Sequence, residues 1–289
     1  MTRGRHGAAA LLVTALLVTA LGMTGCAASP APAPSTSDAN VDVERGIAYR
    51  EVNGEELQLD ACLPRERGPH PALVLIHGGA FEVGDRSTML GVCELLAGAG
   101  FAAFSVDYRL IPDTYPAQVD DVAGAVEWLR DPAQVERFQL GEQVSLLGSS
   151  AGGIIALSTA ASLTEPVTSV VTLSAAGDLT SDAAELGNPA PDLEKVVLAY
   201  LGCDGADDCA VAVAASPLTV ASALPPTLLV HGSEEIIPVE QAEALDAALG
   251  ASGVEHELIV VDGERHGLQL LNDQTRAAIV EFLDTSTSS

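Results

Sequence analysis

A chain of 289 residues is long enough for one large α/β domain, and with 48% hydrophobic residues it can fill a sizeable core, mostly aliphatic because aromatics are only 3%. That composition excludes an intrinsically disordered chain. Thirteen Lys and Arg against 40 Asp and Glu leave a formal charge of −27, which repels phosphate backbones and anionic headgroups, so no nucleic-acid partner is expected and polyanion binding is disfavoured.

In chain order, residues 1–25 carry the pattern of an export leader, with Arg3, Arg5 and His6 ahead of an apolar run over 8–21. The next residues, Gly22-Met23-Thr24-Gly25-Cys26, resemble a bacterial lipoprotein processing site, in which Cys26 becomes the first mature residue and bears lipid. Cleavage near Ala27 or Ala28, giving a secreted protein, is the alternative. The Ala-, Pro- and Ser-rich stretch over 26–40 is expected to be a tether, followed by a catalytic domain over 41–285. The expected location is therefore the outer face of the bacterial cell membrane. With Cys26 used for lipid, four cysteines remain, an even number suited to disulfides in an exported protein. Cys203 with Cys209, across a turn-rich loop, leaves Cys62 with Cys93, although four cysteines permit three connectivities. No metal site is expected, since the spacing lacks C-x-x-C and no histidine is near.

Within the domain, apolar residues over 47–51 and 55–63 flank Asn53-Gly54, a hairpin signal. The continuous apolar run 72–76 reads as a strand buried on both faces. Helices are then expected over 88–99, 116–129, 193–201, 240–249 and 275–283, and strands over 101–106, 144–147, 167–173, 227–230 and 257–261. The alternation predicts a doubly wound, mostly parallel sheet with its site at the carboxyl ends of the strands. The stretch between 173 and 227, with one clear helix, is expected to form a small cap.

The strand over 144–147 stops at Gly148-Ser149-Ser150-Ala151-Gly152, and a helix-forming run follows. Strand, sharp turn and helix around G-x-S-x-G make a nucleophile elbow, with Ser150 as the candidate nucleophile. Ser149 does not fit, because Leu147 stands where the turn needs glycine. After the first buried strand, His77-Gly78-Gly79-Ala80-Phe81 lets main chain approach a substrate, so Gly79 and Ala80, with Ala151, are the candidate oxyanion donors. A serine hydroxyl needs a base. Of six histidines, His266 lies in the loop directly after the last strand. His256 starts that strand at the opposite end, His231 ends a strand and reads as structural, and His6, His70 and His77 fall in the leader, an exposed loop and the oxyanion segment. The orienting acid is expected in the loop after the penultimate strand at Glu235, with Glu234 and Asp178 as rivals.

With these residues in place, the chain resembles the α/β-hydrolase carboxylesterases, in the branch of hormone-sensitive lipase and the bacterial acetyl and feruloyl esterases. The likeness runs from about residue 46 to 282 and adds Asp107-Tyr108-Arg109-Leu110, Pro116, Asp120-Asp121, Trp128-Leu129, Ser216-Pro217-Leu218 and the His-Gly pairs at 231 and 266. Ala80 stands where a third glycine is common, and Glu235 where aspartate is commoner. The resemblance implies an α/β-hydrolase fold, an internal structural pair of Asp107 with Arg109, and no cofactor. It also implies ester hydrolysis through Ser150, His266 and Glu235; the small cap expected over 173–227 favours short-acyl or aryl esters, and the expected location adds esters borne on polysaccharide. A peptidase or amidase would use the same residues. A non-catalytic surface protein on this scaffold would be expected to lack one of them.

Overall fold

A computed structural model describes residues 40–187 and 189–287. The leader expected over 1–25, Cys26, and all but the last residue of the tether expected over 26–40 lie outside the described residues.

β1 (Val41–Val52) and β2 (Glu55–Pro64) pair antiparallel around Asn53 and Gly54, whose φ angles of 54° and 86° suit a type I′ turn. β1 begins six residues before the expected run. Its first half lies at the sheet edge, where Val41 is buried but residues 42–46 are exposed, so no apolar alternation marks it.

β3 (His70–Ile76) is followed by a 3₁₀ turn at Arg86–Met89 and by α1 (Leu90–Gly98), so the helix expected over 88–99 is split. The cause is Asp85, whose side chain accepts the Ser87 N–H at 2.8 Å and starts the 3₁₀ turn early. After β4 (Ala102–Val106) come α2 (Ala117–Arg130) and a short unforeseen helix, α3 (Pro132–Phe138). Asp131 caps α3 by accepting the Ala133 N–H, and Pro132 occupies its first turn. β5 (Leu140–Ser149), α4 (Ala151–Ser162) and β6 (Val170–Leu173) form the central unit. Between β6 and the next strand lie a 3₁₀ turn, α5 (Pro191–Leu201), α6 (Val211–Ala215) and a second 3₁₀ turn at Pro217–Ala223, more helix than the single one expected. β7 (Thr227–Gly232), α7 (Val239–Ser252), β8 (His256–Val261) and α8 (Asp273–Thr287) close the chain.

The eight strands lie in the order β1-β2-β4-β3-β5-β6-β7-β8; β2 is antiparallel to both neighbours, and from β3 onward all pairings are parallel. This is the doubly wound sheet the alternation predicts. The apolar runs of its strands divide between two faces. Ala72, Val74 and Ile76 of β3 join α2, α4 and α7 residues such as Val122, Ile155 and Leu245 in one core. Leu73 and Leu75 join α1 and α8 residues such as Leu96, Ile279 and Leu283 in the other. Both faces are thus dry, as a parallel sheet requires. Chain order reverses at β3, which has β4 on one side and β5 on the other, and an open α/β sheet places its site outside the carboxyl ends of the strands at such a reversal.

The cysteines pair as Cys62 with Cys93, joining β2 to α1, and as Cys203 with Cys209, closing the loop after α5; the Cα separations are 5.6 and 5.5 Å.

Candidate active site

Ser150 stands between β5 and α4 with φ 54° and ψ −121°, backbone angles that a residue bearing a side chain seldom adopts. Close packing imposes them. A Cβ on Gly148 would lie 2.1 Å from the Gly152 carbonyl oxygen, and one on Gly152 would lie 2.2 Å from the Ile76 carbonyl oxygen. The turn therefore fits only if both flanking residues are glycine, and it is held by the Ser150 N–H donating to the Leu173 carbonyl at 2.7 Å. Its effect is to lift the Ser150 hydroxyl clear of the sheet edge.

His266, in the loop between β8 and α8, reaches that hydroxyl: Nε2 lies 2.9 Å from Ser150 Oγ. Its Nδ1 is hydrogen-bonded to Glu235 Oε2 in the loop after β7. A carboxylate only accepts, so Nδ1 carries the proton and Nε2 is left to accept from the serine. The carboxylate of Glu235 is fully buried. Oε1 accepts from the Gly232 N–H at 2.8 Å and from Ser174 Oγ at 2.7 Å, and His231 Nε2 stands 3.4 Å away. Burial alone raises the pKa of this carboxyl. The hydrogen bond from His266, the nearby His231 and the bonds from Gly232 and Ser174 outweigh burial and hold it below the ordinary glutamate value.

The rival acids lie elsewhere. Glu234 is exposed, although it is the neighbour of Glu235 in the chain. Asp178 is buried but accepts from the Thr180 N–H at 2.9 Å and from Ser216 Oγ at 3.1 Å, and it lines a cavity of about 130 Å³ beneath α5 with Ala176, Leu179, Val197 and Gln241. Its geometry is that of a loop brace.

The segment after β3 lies directly on the elbow. A Cβ on Gly78 would stand 2.8 Å from the Ser149 carbonyl oxygen and 3.1 Å from Ser150 Cβ. Gly79, Ala80 and Phe81 then take φ angles of 119°, 54° and 61° in succession. The Gly79 carbonyl accepts from the Glu82 and Val83 N–H groups at 3.0 Å, which turns the loop. Phe81 anchors it by stacking on Tyr200 of α5 with ring centroids 3.8 Å apart. Ala151 opens α4, a position whose N–H has no partner within the helix. His77 stays behind this loop, stacked on Tyr108 at 4.3 Å with Nδ1 near the Gly78 carbonyl, and burial lowers its pKa.

One expectation needs revision. Asp107 and Arg109 each take another partner. Arg109 binds both carboxylate oxygens of the buried Asp121 of α2 at 2.8 Å, and Asp107 binds Arg86 at 2.6 Å. The reason is direction: the two residues leave the end of β4 toward different neighbours, one toward α2 and one toward the 3₁₀ turn before α1. Ser174, with a φ of 61°, was not foreseen at the site at all. Its only sequence signal is its position, one residue past the apolar run of β6.

Comparison with known proteins agrees with this fold. A family model described as alpha/beta hydrolase fold matches residues 73–270, more than half of the chain. The chain is 28% identical over 259 residues to esterase LipU of Mycobacterium tuberculosis, covering 83% of this chain and 84% of that one. It is 40% identical over 88 residues to esterase LipI of the same organism, a match that spans 30% of this chain and 27% of LipI. Among solved structures, esterase B from Lactobacillus Rhamnosis superposes with a TM-score of 0.71 at 22% identity over 86% of each chain. A truncated carbohydrate esterase from gut microbiota does so at 0.74 and 20%, over 86% of this chain and 97% of that one. At such identities these structures speak to the fold.

Proposed function

The chain belongs to the alpha/beta hydrolase fold family, and from that premise we propose that it is a serine carboxylesterase cleaving short-acyl or aryl esters through an acyl-enzyme. The observation that carries the reading is the unbroken hydrogen-bonded line from Ser150 Oγ through the His266 ring to Glu235. Ser150 Oγ bonds to the ester carbonyl carbon while its proton passes to His266 Nε2. The carbonyl π pair moves onto oxygen, where the N–H groups of Gly79, Ala80 and Ala151 receive it; each such donor is worth about 10²- to 10³-fold in rate. His266 returns the proton to the departing alcohol. Water then attacks the acyl carbon and gives a proton to the same nitrogen; the bond from the acyl carbon to Ser150 Oγ breaks, Oγ takes that proton back and the acid leaves. Glu235 keeps the ring in the required tautomer and stabilises the imidazolium.

Esterase names among the relatives and a cap of short helical pieces, without a long apolar lid among the described residues, support small esters as substrates, either free or attached to polysaccharide. The leader pattern supports export with lipid on Cys26. The test is hydrolysis of p-nitrophenyl acetate, butyrate and octanoate beside matched anilides, with fluorophosphonate labelling. The acetate or butyrate ester is expected to turn over fastest, and Ser150→Ala to lose both turnover and labelling while staying folded. A Ser150→Ala variant that still turns over would overturn the assignment, and faster anilide cleavage would make the protein an amidase.

A further inference from the structure

Ser174 is fully buried, yet its hydroxyl makes two short polar contacts to different parts of the site. Oγ lies 2.7 Å from Glu235 Oε1 and 2.7 Å from the backbone nitrogen of Gly267, the residue after His266. An N–H can only donate, so Oγ must be the acceptor toward Gly267. That leaves its single proton for Glu235, and the hydroxyl orientation is fixed without choice. A hydroxyl held so can only donate to Oε1, and an ionised carboxylate is the stronger acceptor for it. The same atom grips the backbone of the histidine loop, so acid and base are registered against one point at the end of β6.

The backbone there is shaped for this task. Ser174 continues the parallel ladder, its N–H donating to the Val230 carbonyl at 2.9 Å, and then turns to a φ of 61°. A side chain at that angle is disfavoured, and glycine would relieve it at once. The chain keeps a serine instead.

Resting on the triad reading above, we propose that Ser174 is a positioning residue for catalysis. It pins Glu235 Oε1 so that Oε2 stays on His266 Nδ1, and it clamps the His266 loop through Gly267. The titratable groups that face Glu235 are His266 and His231, so nothing else charged substitutes for the lost hydroxyl.

The experiment compares Ser174→Ala and Ser174→Gly with the wild-type chain, with Ser150→Ala run beside them. Glycine relaxes the backbone, so a folded variant is available even if alanine is poorly tolerated. For p-nitrophenyl acetate, kcat is expected to fall about ten- to hundredfold in both variants with KM little changed, the loss of one hydrogen bond to a buried charge. The downfield proton resonance of His266 Nδ1–H, read in the folded protein whether or not it turns over, is expected to move or broaden. Values of kcat within about twofold of wild type together with an unmoved resonance overturn the proposal. Retained activity in Ser150→Ala would instead overturn the triad reading, and the resonance would still report on Ser174 independently.

Discussion

At Glu235 a buried charge is kept ionised against the cost of its burial, and that has a consequence for stability. Its pKa in the folded protein lies below the ordinary glutamate value, so above that ordinary value the folded state gains from the ionised side chain. As pH falls through the lowered pKa, the carboxylate is protonated and the gain disappears. Unfolding by urea, followed from about pH 5 to about pH 3, is therefore expected to show the stability difference between wild type and Glu235→Gln shrinking with acid. A difference that stays constant or widens would mean that the carboxylate is not held as an anion. Which residues of the site were legible in the sequence follows from the same local physics. Ser150 could be found because its turn admits only glycine at 148 and 152, a requirement written into residue type. His266 and Glu235 could be found from their places after β8 and β7. Ser174 could not, since a hydroxyl at a strand end looks like any other serine until Glu235 and Gly267 arrive from elsewhere in the chain. The partners of Asp107 and Arg109 were hidden for the same reason, since Arg86 and Asp121 come from separate elements.

The run over 72–76 became β3 because both its faces are dry, whereas the first half of β1, with residues 42–46 exposed, left no periodic trace. α3, of seven residues, was too short to show a period even though Asp131-Pro132 announces its start. The disulfides tie such elements with unequal force. Cys62 and Cys93 are 31 positions apart and fasten β2 to α1, whereas Cys203 and Cys209 are six apart within one loop. On loop-closure entropy the first is worth about 3.5 kcal/mol and the second about 2 kcal/mol. Replacing each pair by alanine and measuring denaturant unfolding is expected to show the larger loss for 62 and 93. Equal losses would mean that constraint of the unfolded chain is not what these bonds contribute.

At the scale of the whole molecule, the doubly wound architecture was legible because alternating strands and helices admit few topologies, and the charge of −27 decides how such a body can be held at a membrane. An anionic leaflet repels it, and a basic patch of the kind that adheres to lipid headgroups is not available from 13 Lys and Arg dispersed among 40 acids. No described helix is long and apolar enough to cross a bilayer. If the leader is processed at Cys26 as the sequence leads one to expect, a lipid anchor there would need more than one acyl chain, because one chain binds only marginally. Such an anchor is insensitive to salt, because each buried methylene contributes about 0.8 kcal/mol irrespective of ionic strength. Cell fractionation after a wash in about 1 M salt, where charges are screened beyond roughly 3 Å, is expected to leave the wild-type protein in the membrane fraction. Cys26→Ser is expected to send it to the exported soluble fraction with esterase activity per molecule unchanged, since the substituted residue lies outside the catalytic domain. Recovery of wild type in the soluble fraction from the outset would mean that the leader is cut near Ala27 or Ala28 and that the enzyme works free of the cell.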